Sequence, residues 1–173
     1  MKNFACTLLL IVSFFHGQTQ STATLPCSQN PVYRQFDFWI GDWDVYNLKG
    51  ARAGTSHVER LLDSCVVLEN WTSAQAGYAG KSYNTYNSVT GKWQQYWVDN
   101  KGGITEYFDG HFEKNSMILQ TSNTKQPNGS FLIQKMTFFH INDDTVRQLG
   151  ENSTDGGQTW KTAFDLTYKR KSK

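Results

Sequence analysis

The stretch Phe36-Asp37-Phe38-Trp39-Ile40-Gly41-Asp42-Trp43-Asp44-Val45 opens the part of the chain that decides its fold. From Pro31 onward, apolar and polar residues alternate with a period of two, and Gly or Asn turns interrupt the alternation every 8 to 15 residues or so. Alternation of this kind places successive side chains on opposite faces of a strand. The pattern predicts an all-β protein, either an antiparallel sandwich or a barrel.

The alternating segments predict about ten strands joined by short turns. Asn128-Gly129 is a dipeptide preferred in two-residue hairpins, and the turns Ser88-Val89-Thr90-Gly91 and Asn100-Lys101-Gly102-Gly103 each supply Gly where the chain must adopt positive φ. Because ten strands in an open sheet would leave two unprotected edges, we expect an up-and-down β-barrel and not a sandwich. The predicted strands are 37–47, 54–61, 65–72, 79–87, 92–99, 103–110, 116–122, 130–140, 145–152 and 159–169.

Composition limits the class of protein. The chain has 173 residues and a formal net charge of +2, with 11 Phe, 8 Tyr and 6 Trp. It is long enough for one domain with a substantial core, and it is too aromatic and too weakly charged to be disordered. The positive charges of residues 169–173 form a basic tail, and the rest of the chain lacks the basic surface that predicts nucleic-acid binding.

The N-terminus has the pattern of a secretory signal peptide. Lys2 is followed by an uncharged, mostly apolar run from Ala5 to Phe15, which is too short to span a bilayer as a permanent helix. We expect cleavage between about residues 17 and 23, a secreted or periplasmic protein, and no membrane insertion. The predicted organisation is a signal peptide at 1–21, a lead-in at 22–35, a barrel at 36–170 and a basic tail at 171–173.

Two cysteines remain once Cys6 leaves with the signal peptide. In an oxidising compartment, Cys27 and Cys65 are most simply a disulfide, which would stabilise the fold by about 3–4 kcal/mol. A metal pair or a catalytic thiol is the alternative, although no neighbouring His supports either one.

Residues Ser153-Thr154-Asp155-Gly156-Gly157-Gln158-Thr159-Trp160 match the S-x-D-x-G-x-T-W pattern known as the Asp-box. We expect Asp155 to cap backbone N–H groups in a tight turn, Gly157 to adopt a strained φ, and Trp160 to pack beneath the turn. The motif recurs in sialidase propellers, where it lies away from the catalytic site. A single copy therefore predicts a structural hairpin.

The Gly-x-Trp at Gly41 and Trp43 resembles the opening motif of lipocalins and other calycin barrels. The resemblance implies that Gly41 lets the backbone turn sharply into the barrel and that Trp43 plugs its closed end. In such barrels the indole stacks under a cation from the last strand, a role that Lys169 or Arg170 could fill here.

A longer set of motifs resembles a secreted bacterial calycin-like family of unknown function. The resemblance covers about Cys27 to Lys169, departs from the family only at Ser64 where a Gly is expected, and implies a nitrobindin-like barrel of about ten strands. The haem-binding role of nitrobindins is not carried over, because residues 44–46 lack the further Gly of their G-x-W-x-G-x-G opening. The matching segments are Phe36–Trp43, Ser64–Trp71, Asn84–Tyr86, Gly91–Asp99 and Ser153–Trp160.

No motif in the chain identifies a reaction. His57, His111 and His140 lie on three separate predicted strands and lack zinc-ligand spacing. A haem needs one axial His, so His111 and His140 stay open as ligands. Nucleophile elbows, phosphate loops and dinucleotide fingerprints are absent from the sequence. We therefore predict no cofactor and no metal site, and we assign no catalytic residue.

Polar and aromatic residues share faces in the middle hairpins. Glu69 and Trp71 are two apart on the third predicted strand, and Gln95 and Trp97 are two apart on the fifth. Because an exposed face with so many Trp residues is unfavourable, we expect these four to line an amphipathic lumen. The alternative is that these faces point outward. Further candidates for ligand contacts are Asn84, Tyr86, Asp99 and Arg147.

The leading interpretation is a secreted barrel that binds a small amphipathic or apolar molecule in its lumen. Two alternatives remain open. One is a barrel-type enzyme in which Glu69 or Glu106 acts as a general acid or base. The other is a structural or interaction module without a ligand, whose lumen is filled by side chains.

Overall fold

A computed structural model describes residues 25–172 as an all-β protein built on one antiparallel sheet. The signal peptide predicted at 1–21 lies outside the described residues. Within residues 25–172, two 3-10 turns and eleven strands follow one another in the order η1 (Pro31–Arg34), η2 (Asp37–Trp39), β1 (Gly41–Asn47), β2 (Arg52–Leu61), β3 (Val66–Ser73), β4 (Ala79–Asn87), β5 (Lys92–Asp99), β6 (Ile104–Glu113), β7 (Ser116–Gln120), β8 (Thr124–Lys125), β9 (Phe131–Asn142), β10 (Thr145–Ser153) and β11 (Lys161–Arg170).

Ten of the strands close into a barrel. Neighbours in the chain are neighbours in the sheet, and β1 pairs with β11 from Trp43↔Arg170 to Asn47↔Leu166, which joins the two ends. The two-residue strand β8 pairs with β9 and stands outside this ring. The prediction of a ten-stranded antiparallel up-and-down barrel is confirmed.

The first strand begins later than the predicted 37–47, because Asp37–Trp39 forms the 3-10 turn η2. Phe36 and Trp39 are both fully buried and their rings stack 5.1 Å apart. Residues three apart lie on the same side of a 3-10 turn, so this geometry buries both rings where a strand would separate them. The chain thereby crosses beneath the barrel before it enters β1.

One end of the barrel is filled by side chains that we call the base plug, namely Phe36, Trp39, Trp43 and Arg170. The indole Nε1 of Trp43 donates to the carbonyl oxygen of Trp39 at 2.9 Å, and the Arg170 guanidinium carbon lies 4.2 Å from the Trp43 ring centroid. Arg170 also donates to the carbonyl oxygen of Ile40 at 3.0 Å. The cation over Trp43 is therefore Arg170, whereas Lys169 lies 5.8 Å from the ring of Tyr46.

Gly41 is required by two features of this end. Its φ of +139° lies in the region that favours glycine, and a Cβ at this position would collide with the Arg170 guanidinium. Glycine at this position therefore allows the backbone to turn sharply into β1, and it leaves room for the Arg170 side chain of β11.

Cys27 and Cys65 are paired as predicted, with Cα atoms 5.0 Å apart. The bond joins the lead-in to the turn between β2 and β3, 38 residues away in sequence. Arg34 reinforces the same junction by donating to the carbonyl oxygen of Ser64 at 2.9 Å. The lead-in is thus fastened to this turn by a covalent bond and by a hydrogen bond.

The turn between β10 and β11 is organised by Asp155. Its carboxylate accepts from the hydroxyl of Thr159 at 2.5 Å, from the backbone N–H of Thr159 at 2.9 Å and from that of Gln158 at 3.0 Å. These bonds, that of the Thr159 hydroxyl foremost, hold the pKa of Asp155 well below its usual range. Gly157 has a φ of +90°, and the Trp160 ring lies 4.0 Å from the Lys135 ammonium.

Candidate functional site

A cavity of about 290 Å³ occupies the half of the lumen opposite the base plug. This volume is close to the lower limit of about 300–1,000 Å³ for small-molecule sites. As far as the described residues form it, the wall consists of six aromatic, two aliphatic and five polar side chains, and Glu69 is the one acidic residue among them. The lining residues are Glu69, Trp71, Tyr78, Gln95, Trp97, Thr105, Tyr107, Gln134, Met136, Gln148, Phe164, Leu166 and Tyr168.

Glu69 lies at the floor of this cavity. Its side chain is buried on β3 with a residue exposure of 3%, and three hydroxyl groups donate to it. Ser56 and Tyr168 donate to Oε1 at 2.9 and 3.2 Å, and Ser82 donates to Oε2 at 3.0 Å. The three donors come from β2, β4 and β11, so the closed barrel itself assembles the site.

The burial of Glu69 raises its pKa from 4.5 to about 7, although the three hydroxyl groups partly offset the effect. Near neutral pH the carboxyl group therefore changes between its protonated and ionised forms. Burial and the neighbouring Glu69 raise the pKa of Tyr168 well above 10.0, so the tyrosine stays protonated over the same range.

Tyr168 links Glu69 to Gln148. Its hydroxyl oxygen lies 2.8 Å from Oε1 of Gln148 and 3.2 Å from Oε1 of Glu69, yet it has one proton to donate. Protonated Glu69 can donate to Tyr168, which then donates to Gln148. Ionised Glu69 instead accepts the hydrogen bond of the Tyr168 hydroxyl. Gln148 then no longer receives a hydrogen bond from Tyr168. A change of charge at Glu69 thus alters the groups that the cavity offers to a ligand.

A second chain of hydrogen bonds approaches Glu69 from β5. Gln95 donates to the side-chain oxygen of Asn84 at 2.7 Å, and Asn84 donates to the hydroxyl of Ser82 at 3.1 Å. Because Ser82 in turn donates to Glu69, every proton in this chain points toward the carboxyl group. The network fixes the orientation of Gln95, whose side chain lines the cavity.

Three aromatic rings surround the wider end of the cavity, and we call them the aromatic collar: Trp71, Trp97 and Phe164. Each ring lies against a glycine of an adjacent strand. A Cβ built on Gly54 would lie 2.7 Å from Trp71, and one built on Gly80 or Gly150 would collide with Trp97 or Phe164 respectively. The three glycines therefore let the rings lie along the wall and keep the centre of the lumen open.

One side of the cavity lies beside an incomplete strand pairing. β6 pairs with β7 only from Glu113↔Ser116 to His111↔Ile118, as far as the described residues show. Thr105 and Tyr107 lie on the part of β6 beyond this pairing, and both line the cavity. Burial raises the pKa of Tyr107 to about 12, so its hydroxyl is a proton donor at neutral pH.

The four residues that the sequence placed first, Glu69, Trp71, Gln95 and Trp97, all line the cavity. Asn84 is fully buried behind Gln95 and supports it without lining the cavity. Tyr86 lies toward the other end of β4, where its ring contacts those of Tyr33 and Trp93.

The structure places the other predicted contacts outside the cavity wall. Asp99 accepts from the backbone N–H of Gly103 at 2.8 Å, which lowers its pKa, and from the hydroxyl of the cavity residue Tyr78 at 3.2 Å. Arg147 donates to both carboxylate oxygens of Asp165, at 2.9 and 2.6 Å, and its side chain is 41% exposed. Glu106, the alternative acid, is exposed on the outer face of β6.

Sequence reasoning missed Ser56, Gln148 and Tyr168. The signal for Gln148 and Tyr168 was present, because Val146, Gln148 and Gly150 share one face of β10, and Phe164, Leu166 and Tyr168 share one face of β11. These faces meet Glu69 only because the barrel closes through the pairing of β1 with β11, since Tyr168 is 99 residues away from Glu69 along the chain.

The three histidines among the described residues lie away from the cavity. His57 is within 2.8 Å of Asp42, His111 is exposed on β6, and His140 stacks on Phe38 at 5.1 Å between ring centroids. Within residues 25–172, no group of three or more His, Cys, Asp and Glu side chains is arranged to hold a metal ion. The same residues contain no helix that is long and apolar enough to cross a membrane.

A comparison of the chain with models of known protein families finds no matching family, and a comparison with curated proteins finds no significant match.

Proposed function

We propose that this protein is a secreted barrel that binds one small amphipathic molecule in its lumen. The observation that carries the proposal is the cavity itself, which combines an aromatic collar with oriented polar groups at its floor. Small-molecule sites in proteins have this composition, with mostly apolar walls and a few placed hydrogen-bonding groups. The cavity volume of about 290 Å³ suits a molecule of one or two fused rings.

The signal-peptide pattern and the disulfide support secretion, because disulfides persist in oxidising compartments. The resemblance of the opening motifs to secreted calycin-like barrels agrees with the same proposal. The unfilled volume at the centre of the lumen weighs against a ligand-free module whose lumen is packed with side chains.

Native mass spectrometry of the freshly purified protein tests the proposal. We expect a bound mass that survives gentle ionisation and is lost on denaturation. Thr105→Trp, which would fill the cavity, should lose this mass, whereas Glu106→Trp on the outer face of the same strand should retain it. The proposal is wrong if the wild type carries no ligand and no member of a library of small aromatic compounds raises its melting temperature.

An enzyme is the second candidate, because burial gives Glu69 a pKa of about 7, which suits a general acid or base at neutral pH. Binding is favoured over this candidate because Glu69 is already held by three hydroxyl donors. Incubation of the bound compound with the protein, followed by product analysis, separates the two. An enzyme would lose turnover in Glu69→Gln while retaining affinity.

A further inference from the structure

The acid at the floor of the cavity has no cationic partner. The cavity wall, as far as the described residues form it, contains no Lys, Arg or His, and the three groups that donate to Glu69 are neutral hydroxyls. A buried carboxylate is unfavourable unless a cation or a full set of donors compensates for the lost water. Oε2 has one donor among the described residues, so it retains capacity for another.

The strands around Glu69 supply no hidden cation. Val58 is its partner on β2, Ser82 is its partner on β4, and Tyr168 reaches it from β11. Tyr168 is the one titratable side chain among these neighbours, and it stays neutral. The nearest charged positions along these strands, such as Lys81 on β4, point to solvent on the outer face.

The collar above Glu69 suits an aromatic ring with a cationic head. Trp71 follows Glu69 by two positions on β3, which corresponds to a rise of about 7 Å along the strand. That distance is about the reach of an amine joined to a ring by a two-carbon chain. The faces of tryptophan and tyrosine rings also attract cations. The aromatic wall between the collar and Glu69 therefore favours a positively charged ligand group over a negatively charged one.

We propose that the cavity selects a small planar aromatic molecule that bears a protonated amine, with the ammonium group at Glu69 and the ring inside the aromatic collar. This inference rests on the proposed lumen-binding function and specifies its ligand class. The amine supplies the cation that the floor lacks. A ligand with a carboxylate head would instead place two negative charges together in a cavity without a cation.

Isothermal titration calorimetry with three matched probes tests the ligand class. 2-Phenylethylamine, 2-phenylethanol and phenylacetate share a ring and differ in their head group. At pH 8 we expect the amine to bind at least about tenfold more tightly than the alcohol, and the acid to bind most weakly. Lowering the pH from 8 to 6 protonates Glu69, whose pKa is about 7, and should weaken amine binding about tenfold while the alcohol changes little.

Two variants separate the role of Glu69 from the general fold. Glu69→Gln should lose both the preference for the amine and its pH dependence while still binding the alcohol. Glu106→Gln on the outer face should behave as the wild type does.

If Glu69→Gln does not fold, proton release by the wild type decides the question. At pH 6, amine binding should release a proton, so the measured enthalpy should differ between buffers with different ionisation enthalpies. An enthalpy that is independent of the buffer contradicts the inference.

The outcomes distinguish this inference from the function on which it rests. Equal affinity for the alcohol and the amine at both pH values would overturn the amine inference and leave lumen binding intact. The inference also fails if phenylacetate binds most tightly or if none of the three probes binds. In these cases native mass spectrometry of the purified protein still tests the proposed binding function, because it detects a bound ligand of any class.

Discussion

Tryptophans lie at both ends of this barrel, and their surroundings differ. At the base, Trp39 and Trp43 are fully buried, and Phe36 adds a ring that contacts Trp39 and the strand residues Trp93 and Phe138. At the opposite end, which carries the aromatic collar and which we call the mouth, Trp71 and Trp97 are only partly buried, and each lies against a glycine of an adjacent strand. The lumen is solid at the first end and hollow at the second.

The comparison shows that aromatic residues alone do not determine whether a barrel end is filled. An end is filled where another segment contributes rings from outside the sheet, as the turn before β1 does here with Phe36 and Trp39. It stays open where the adjacent strand offers a glycine that lets the ring lie along the wall. The base should therefore determine stability, and the mouth should determine binding.

The largest expected effect is that of Trp43→Ala at the base. Removing a fully buried indole with its hydrogen bond and its Arg170 contact should lower the free energy of unfolding by about 3–5 kcal/mol. Trp97→Ala at the mouth is the matched control and should cost less than half as much stability while weakening ligand binding. Chemical denaturation measures both, and equal losses would contradict the division between base and mouth.

The disulfide should have the next largest effect. Replacing both Cys27 and Cys65 with Ser should lower the free energy of unfolding by about 3–4 kcal/mol, since the closed loop spans 38 residues. Because the bond lies at the base, the ligand affinity of the folded double variant should match that of the wild type. A loss of affinity with little loss of stability would show that the bond organises the mouth.

The pH dependence of stability should isolate Glu69. Its pKa is higher in the folded than in the unfolded protein, so the folded state binds more protons between pH 4.5 and about 7. Its stabilising contribution is therefore complete below pH 4.5 and is lost as the pH rises through 7, by about 3 kcal/mol in total.

Denaturant unfolding of the wild type and Glu69→Gln at several pH values measures this contribution as their difference. The variant should lack the decline and be the more stable protein at pH 8. Parallel curves for the two proteins would show that the carboxyl group is solvated.

The smallest expected effect on stability is that of Gly80→Ala. The added methyl group would meet the ring of Trp97 and the carbonyl oxygen of Val98, so the ring must shift toward the lumen. Overpacking of this kind costs about 1–3 kcal/mol, and the narrowed cavity should lose most of its ligand affinity. Lys81→Ala on the outer face of the same strand is the control and should change neither property. Retained affinity in Gly80→Ala would mean that the collar is not the binding surface.

The fold could be predicted from the sequence because its determinants are local. Period-two alternation and Gly or Asn turns lie within each hairpin, and ring closure follows from the need to remove sheet edges. The 3-10 turn at Asp37–Trp39 was mistaken for strand because Phe36, Asp37 and Phe38 alternate between apolar and polar residues, as they would in a strand. Phe36 and Trp39 are buried together because both rings pack into the base of the barrel, and a local sequence pattern does not describe this packing.

The site could be predicted only in part. On β3 and β5 the inward face was recognisable, because tryptophan and a polar residue recur two positions apart. On β10 both faces are mixed, and Arg147 lies on the outer face, where Asp165 of the neighbouring strand pairs with it. The pairing of Arg147 with Asp165 depends on the register between two strands, and the residue pattern of one strand alone does not reveal that register.

The attachment of the lead-in has a consequence for the exchange of small molecules. Cys27 is bonded to the turn after β2, and Trp39 runs directly into β1, so the segment beneath the barrel is covalently anchored on both sides. Local opening of strands cannot swing it away as a hinged floor. The barrel is therefore closed at its base, so a ligand bound as proposed would have to enter and leave through the other half of the barrel, where Trp97 lies.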